Sequence, residues 1–448
     1  MHRFDPTPSV LDIARRLEAA GFEAWCVGGA IRDALLGGRP LDWDLATPAT
    51  PEQVRELFGR KRTIPVGIEF GTVSILDDAG VPHEITTFRH DVTTDGRHAV
   101  VAFGASLGED LARRDFTINA VAYRPHSGEV RDPFGGERDL RAGVVRAVGD
   151  AQQRMREDRL RALRAIRFAS RFEFAIESTT LDAIRTSAPH LARLSAERVQ
   201  QELRKTMQQV QRPGGALRLW RDVGALSVLI PSLNQLSEIA LATLDEMPRS
   251  LEGSSPRPQR TANRLAALFL DARPTDARAA MVALRFSKHD TNWVTALVER
   301  WASLGASLAS SLAAGTPSDV EVRRWLSRLG RAYAGPFLRL ALARWRACRA
   351  VEMAAPTDGA VRSLHRRMRQ SLYTDPIELS DLAIGGDDLR HAGIRAGPIY
   401  AKILHALLER VLEDPARNTP ETLLADVPQI LAALGESSRS AVHPSTEP

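Results

Sequence analysis

The stretch VGGAIRDALLGGRPLDWDLAT, residues 27–47, decides the fold of the first part of the chain. Its last seven residues, LDWDLAT, alternate between apolar and polar as a half-buried strand does. Because side chains two positions apart on a strand share a face, Asp42 and Asp44 are expected to project together while Trp43 points into the core. Two such carboxylates suit a Mg²⁺ ion that bridges nucleotide phosphates. The stretch therefore predicts a metal site, with Glu84 of a neighbouring predicted strand as the candidate third carboxylate.

The residues before this strand add a phosphate-binding turn. An Asp-x-Asp pair alone is common by chance and carries little weight. Gly28 and Gly29 follow a predicted strand, leave no Cβ in the way of a ligand and expose backbone N–H groups at a helix start. Arg32 lies on the first turn of that helix, within reach of the same anion. Neither the P-loop pattern nor the dinucleotide-binding glycine pattern occurs here.

Length and composition indicate a multidomain globular protein. The chain has 448 residues, of which 44% are hydrophobic and 26% charged. Since no apolar run reaches membrane-spanning length and the first ten residues lack a signal-peptide pattern, the cytoplasm is the expected compartment. Cys26 and Cys348 lie far apart and fit neither a disulfide framework nor a zinc site. The net charge of +5, carried mostly by arginine, suits a polyanionic partner, although arginine enrichment also arises from gene base composition.

Hydrophobic periodicity changes at about residue 150. Before this point helices and strands alternate, and after it apolar residues recur at the three- and four-residue spacing of packed helices. Predicted helices include 9–21, 30–36, 50–58, 159–172, 196–210 and 398–414, and predicted strands are 23–27, 41–47, 70–76 and 83–89. The pattern predicts an α+β chain with a small mixed head and an all-helical remainder.

Ordered motifs then give the chain a family likeness. They are VGGAIRD (27–33), LDWDLAT (41–47), DLARRDFTINAVAY (110–123), DPFGGERDL (132–140) and EDRLRALRAIRFASRF (157–172). In this order, from residue 24 to about 230, they resemble the bacterial tRNA CCA-adding nucleotidyltransferase and poly(A) polymerase family. The resemblance implies a polymerase-β-like head followed by an elongated helical neck, body and tail that hold tRNA. It also implies Mg²⁺-dependent, template-independent transfer of CMP and AMP from CTP and ATP to the tRNA 3′ end, with no membrane or DNA partner.

The same resemblance assigns domains and residues. We expect a catalytic head at 1–148, a neck with a nucleotide-selecting helix at 149–210, a body at 211–350, a tRNA-binding tail at 351–436 and a disordered end at 437–448. Asp42 and Asp44 correspond to the metal-binding catalytic carboxylates, and Glu84 would be a third ligand or a base. The expected nucleotide-binding residues are Gly28, Gly29, Arg32, Asp33, Arg114, Asp115, Asn119, Asp158, Arg161, Arg164 and Arg167. The sequence does not indicate an oligomeric state.

Asp158 and Arg161 offer a physical basis for choosing C and A. Three residues apart on a predicted helix, they would be neighbours on its surface. Cytosine and adenine each present an amino donor beside a ring-nitrogen acceptor, and uracil and guanine reverse that order. The pair would therefore leave two unpaired groups against U or G, each costing roughly 1 to 3 kcal/mol. The alternative is a solvated face on which Glu157 and the arginines pair with one another, and Arg167 is expected to contact phosphate or protein instead of the base.

Other functions within and outside this family stay open. Poly(A) polymerases usually carry a basic GRRFR-like stretch where this chain has IPVGIEFGTVSI (64–75), and CC-adding enzymes lack much of the loop present here as RHDVTTDGRHAVVAFG (89–104). CCA addition is therefore the leading interpretation, and an A-adding or CC-adding partial enzyme is the nearest alternative. A non-catalytic RNA-binding relative would be expected to have lost a metal carboxylate. A small-molecule nucleotidyltransferase would have no use for the long helical region.

Overall fold

The computed structural model of the protein describes residues 4–40, 42–65, 67–94, 99–247 and 257–434. Contacts between residues divide the chain into two compact units, one reaching Leu236 and including Val282–Phe286, the other comprising Ser237–Met281 and the residues from Ser287 on. The four-part division into head, neck, body and tail stays a prediction, and residues 437–448 lie outside the described residues. Within the described ranges, no helix combines the length and apolar character that a membrane crossing requires.

Short strands and helices alternate through the first part of the first unit, as the sequence predicts. Its elements up to residue 145 are α1 (Pro8–Ala19), β1 (Trp25–Val27), α2 (Gly29–Leu35), β2 (Asp44–Thr47), α3 (Pro51–Phe58), β3 (Thr63–Ile64), β4 (Thr72–Leu76), β5 (Pro82–Thr87), β6 (Arg89–Thr94), β7 (Ala99–Phe103), α4 (Leu107–Ala112), β8 (Ala122–Arg124), β9 (Glu129–Arg131), α5 (Gly136–Ala142) and β10 (Val144–Val145). Helix α3 begins with a capping box in which Thr50 and Gln53 bond each other's backbone N–H groups, which fixes where that helix starts.

Helices dominate the rest of the described chain. They are α6 (Ala151–Glu157), α7 (Leu160–Phe172), α8 (Ser178–Ser187), α9 (Ala196–Gln209), α10 (Pro213–Asp222), α11 (Ala225–Leu229), α12 (Glu238–Glu246), α13 (Arg257–Leu268), α14 (Pro274–Ala283), α15 (Lys288–Ala314), α16 (Asp319–Leu329), α17 (Arg331–Ala350), α18 (Asp358–Thr374), α19 (Gly386–His391), α20 (Ile399–Glu413) and α21 (Pro420–Ala433), and the short strand β11 (Ala175–Ile176) pairs with β10. The predicted α+β class, a small mixed head with a helical remainder, is confirmed.

One mixed sheet organises the head. Its seven strands lie in the order β3-β4-β5-β2-β1-β8-β9. Strands β2 and β5 run parallel with Leu45 opposite Ile85, and the other neighbouring strands are antiparallel. Strands β6 and β7 form a separate antiparallel hairpin, whose connection at 95–98 falls outside the described residues.

Strand β2 lies between two apolar cores and so orients the acidic residues. Leu45 and Ile85 pack in a core with helices α1 and α3, whereas Ala46 packs in a core on the opposite side of the sheet. Because alternate residues of a strand face opposite sides, Asp44 shares the side of Ala46. Glu84 precedes Ile85 as Asp44 precedes Leu45, so the two acids lie side by side on the same face.

The predicted strand 41–47 is shorter than expected. Strand β2 begins at Asp44, and Asp42 lies in the segment before it. The indole N–H of Trp43 donates to the backbone carbonyl of Pro40 at 2.9 Å, so this side chain is bonded to the segment before the strand. Trp43 itself is buried in the core, as the alternation predicts.

Candidate active site

Most of the predicted site residues line a single cavity of about 520 Å³ in the first unit. This volume is typical of small-molecule sites. The predicted residues that line it are Gly28, Gly29, Arg32, Asp44, Glu84, Arg114, Asp115, Asn119, Asp158, Arg161, Arg164 and Arg167. Asp33 and Asp42 are not among the lining residues. Among the described residues around this cavity nine are basic and five acidic, so the cavity favours an anion with some bound cation.

The turn between β1 and α2 forms one wall of the cavity. Gly28 has φ +76° and ψ −133°, a conformation that side chains disfavour. A Cβ placed on Gly28 would lie 3.1 Å from Nη1 of Arg114 and 3.8 Å from Oδ2 of Asp44. The missing side chain therefore leaves open the space between a cation and a carboxylate, as a phosphate cradle requires.

The acids at this wall repel one another. Burial raises the pKa of Asp44 to about 6, and the negative charges of Glu84 and Asp42 push it in the same direction while Arg114 opposes them. Asp42 is thus close enough to Asp44 to act on it, although it lies outside the strand and outside the cavity lining. Such clustered negative charge is stabilised by a bound cation.

These acids fit a hard divalent cation. Within the described ranges, no group of three or more His, Cys, Asp or Glu side chains is arranged so that protein ligands alone could hold a metal ion. Mg²⁺ commonly uses one or two carboxylates and completes its shell with water and substrate phosphates. Asp44 and Asp42 supply carboxylates of this kind beside an open, polar cavity, so the donor set suits Mg²⁺.

A chain of hydrogen bonds crosses the cavity floor. Nη1 of Arg32 donates to the Asn119 side-chain oxygen at 2.7 Å, and the Asn119 amide nitrogen donates to Asp115 at 2.9 Å. The other oxygen of Asp115 accepts from Nε of Arg164 at 2.8 Å. Although burial acts to raise the pKa of Asp115, Arg164 and Asn119 outweigh it and hold the pKa below its usual value. The glycine turn is thereby tied to helix α7.

Asp33 supports this floor from outside the cavity. It pairs with the neighbouring Arg32 at 2.7 Å and with Arg171 of helix α7 at 3.3 Å. Burial lowers the pKa of Arg32, and Asp33 partly restores it. The ring of Phe168 makes cation–π contacts with the guanidinium groups of Arg32, Arg164 and Arg167, which lie 4.3 to 5.3 Å from the ring centroid.

The prediction that Asp158 and Arg161 are neighbours on the surface of one helix is wrong. Asp158 has φ −147° and ψ 106°, an extended conformation between α6 and α7, and Arg161 lies in the first turn of α7. The physical reason is local capping, since Oδ1 of Asp158 accepts the backbone N–H of Leu160 at 3.0 Å and so favours a break in the helix. Both side chains still line the cavity, so the fold brings them together without a shared helix face.

Arg161 and Arg167 are both engaged with protein groups. Nη1 of Arg161 donates to Glu157 at 2.9 Å and to the carbonyl of Arg154 at 3.0 Å, and Nη2 donates to the carbonyl of Arg113 at 2.9 Å. The alternative interpretation, in which Glu157 pairs with the arginines, thus holds for Arg161, although the pair bridges the break between α6 and α7. Arg167 is buried and paired with Glu202 at 2.7 Å, which confirms that it contacts protein.

Several lining residues escaped sequence reasoning. They are Arg89, Asp110, Arg113, Phe168, Arg171, Lys205 and Gln209. Lys205 and Gln209 lie on α9, whose amphipathic pattern predicted only a packed helix. The family motifs quoted above contain four of these residues, Asp110, Arg113, Phe168 and Arg171. Their place in those motifs could have identified them as candidate site residues.

Comparisons with known proteins agree with this geometry. A family model described as "Poly A polymerase head domain" matches residues 24–146, and one described as "Probable RNA and SrmB- binding site of polymerase A" matches residues 173–236. The CCA-adding enzyme of Latilactobacillus sakei is 37% identical over 418 residues, covering 92% of this chain and 96% of that protein.

Solved structures agree as well. The crystal structure of Bacillus stearothermophilus CCA-adding enzyme in complex with CTP is 31% identical, with a TM-score of 0.74, covering 96% of this chain and 99% of that one. A Thermotoga maritima CCA-adding enzyme complexed with tRNA shares the fold at 22% identity and a TM-score of 0.67, covering 96% and 97% of the two chains. Because sequence identity above 30% extends over nearly the whole length of both proteins, this chain belongs to the family of CCA-adding enzymes and poly(A) polymerases.

Proposed function

We propose that this protein adds CMP and AMP, from CTP and ATP, to the 3′ end of tRNA without a nucleic acid template, in the cytoplasm. The observation that carries the proposal is one cavity that is lined by the glycine turn, by the acids Asp44 and Glu84, and by Asp158 and Arg161, the pair proposed to read the base. Near full-length relatedness to CCA-adding enzymes supports it.

The glycine turn and its arginines position the triphosphate in this proposal. Gly28 and Gly29 leave the backbone open to phosphate oxygens, and Arg114 flanks that opening. Arg32 lies behind Gly29, whose added Cβ would meet Nη2 of Arg32 at 3.4 Å. Fixed cations beside the triphosphate stabilise the charge that grows on the departing pyrophosphate.

Asp42 and Asp44 would hold Mg²⁺, with Glu84 as a further ligand or as a base for the 3′-hydroxyl. When bound, Mg²⁺ supplies charge neutralisation for the phosphates and activation of the attacking hydroxyl, which a pair of ions would share. The protein contributes two carboxylates on the rim of the sheet and Glu84 from the adjacent parallel strand. Glu84 is exposed and so remains accessible to the primer end.

Asp158 and Arg161 read the base. Asp158 accepts from the exocyclic amino group of C or A, and the unused donor capacity of Arg161 meets the neighbouring ring nitrogen. Because Arg161 already donates three hydrogen bonds to protein, it is pre-oriented and its ordering on nucleotide binding costs little entropy.

Assays with three tRNA substrates distinguish this function from its alternatives. The tRNAs end before the CCA, after its first C and just short of the final A, and each is given CTP or ATP alone. We expect CMP on the first two and AMP on the third. AMP on the third alone would indicate an A-adding enzyme, CMP without AMP a CC-adding enzyme, long adenosine runs a poly(A) polymerase, and no incorporation a non-catalytic RNA-binding relative.

Asp42→Ala tests the metal role directly. We expect it to abolish incorporation of both nucleotides while tRNA binding, measured by filter retention, stays at the wild-type level. Asp78→Ala is the matched control, because Asp78 is an exposed acid of the same unit that pairs with the half-buried Arg62. Activity retained in Asp42→Ala would refute the assignment.

A further inference from the structure

The base-reading carboxylate has a partner on another helix. Nη2 of Arg198, on α9, donates to Oδ2 of Asp158 at 2.8 Å. The other oxygen, Oδ1, accepts the backbone N–H of Leu160. Both oxygens of the carboxylate are thus held by protein, one by a local cap and one by a residue 40 positions away in sequence.

These two bonds orient the Asp158 carboxylate and still leave it able to accept hydrogen bonds from a ligand. A carboxylate oxygen has two lone pairs, so each oxygen of Asp158 can accept one more hydrogen bond from a ligand. The Leu160 N–H alone would leave the carboxylate plane free to rotate about that single bond. The guanidinium of Arg198 adds a second fixed point and therefore sets the plane.

The guanidinium of Arg161, the donor of the reading pair, is held by groups other than Arg198. Arg161 is held by Glu157, the last residue of α6, and by the carbonyls of Arg154 and Arg113. The Arg154 carbonyl also accepts the backbone N–H of Asp158 at 3.4 Å, so the two residues share one backbone anchor, whereas the Asp158 carboxylate itself is bonded by Leu160 and Arg198. The shared backbone sets where Asp158 and Arg161 begin, and Arg198 supplies the side-chain contact that orients the Asp158 carboxylate.

The Arg198 ion pair is poorly built as a purely structural contact. Among the described residues, Nη1 of Arg198 is buried and has no hydrogen-bond partner. A buried donor without a partner is costly, so this guanidinium contributes less stability than a fully bonded one would. The contact that this guanidinium does make is the hydrogen bond from Nη2 to Asp158, and orienting that carboxylate is a role that the contact can serve.

We propose that Arg198 is a positioning residue that determines nucleotide specificity, because it fixes the Asp158 carboxylate against the amino group of C or A. This inference rests on the proposed function. Without Arg198 the carboxylate rotates, the amino donor of the correct base loses its aligned acceptor, and the geometric penalty against U and G falls.

The test compares Arg198→Gln with wild type on tRNAs that accept C or A, using CTP, ATP, UTP and GTP separately. We expect the preference in kcat/KM for CTP over UTP and for ATP over GTP to fall about ten- to a hundredfold, the effect of one hydrogen bond to a charged group. Arg185→Gln, which breaks an exposed Arg–Asp pair on α8, is the control and keeps both preferences.

Each outcome decides between support and refutation. Wild-type preferences in folded Arg198→Gln, or an equal loss of rate with all four nucleotides, overturn the inference. If thermal unfolding shows that Arg198→Gln does not fold, Arg198→Lys decides: a lysine lacks the planar donor pair, so intermediate preferences support the inference and wild-type preferences overturn it. A wild-type protein that incorporates neither CMP nor AMP refutes the proposed function instead.

Discussion

Replacing Gly28 by alanine tests the phosphate cradle most sharply. The new methyl group would lie 3.1 Å from Nη1 of Arg114 and 3.8 Å from Oδ2 of Asp44. The contact with Arg114 is tight enough that its guanidinium has to shift by a few tenths of an ångström, since the Cβ position is fixed by the backbone. The substitution therefore places an atom in the opening that the triphosphate needs.

Two effects with separate magnitudes are expected from Gly28→Ala. The backbone at φ +76° and ψ −133° is disfavoured for alanine and costs about 1 to 3 kcal/mol of unfolding free energy. The added methyl group also occupies the cradle, and phosphates that it misplaces by about 1 Å would lose roughly a hundredfold in rate. Because a hundredfold loss of rate corresponds to about 2.7 kcal/mol, the two effects are of similar size and have to be measured separately.

Gly37→Ala separates these effects. Gly37 also has a positive φ, +83°, but an added Cβ there has nothing within 4 Å. Both variants are compared by thermal unfolding and by kcat/KM for CTP and ATP incorporation. Gly37→Ala should lose stability and keep its activity at temperatures where it is folded. Equal activity in the two variants would show that the space at Gly28 is not needed for catalysis.

Two further substitutions test the reading pair and the helix that carries it. Arg161→Ala should relax the exclusion of UTP and GTP in single-nucleotide incorporation assays, because the base loses its donor; unchanged selectivity would dispose of the base-reading account. Glu202→Gln leaves the buried guanidinium of Arg167 without its countercharge and should lower the free energy of unfolding by about 3 to 5 kcal/mol in denaturant titration. The exposed pair broken by Asp182→Asn should cost less than about 1 kcal/mol, and similar losses in the two variants would contradict the importance of burial.

Local periodicity was enough to predict much of the head. Alternation in LDWDLAT placed Trp43 in the core, and the register of β2 and β5 sets Asp44 beside Glu84. The prediction worked because the two faces of a strand are set by its own residues, whatever packs on them. The glycine turn was equally local, since Gly28 needs a backbone conformation that other residues avoid.

Capping was the first feature that the periodic pattern concealed. The helical repeat in EDRLRALRAIRF continues through Asp158, but this residue bonds the backbone N–H of Leu160 and ends the helical register before α7 begins. Periodicity reports which residues are apolar, and it does not report where a short polar side chain competes with the helix for backbone hydrogen bonds.

The sequence by itself thus determined the strand faces, the phosphate turn and the set of residues available for the site. Only the tertiary structure decided which charges meet: Arg198 with Asp158, Glu202 with Arg167, and Asp115 with Arg164. These partners lie between 35 and 49 residues apart. No short-range pattern encodes such pairs, because their distances depend on how α9 and the loop before β8 pack against α7.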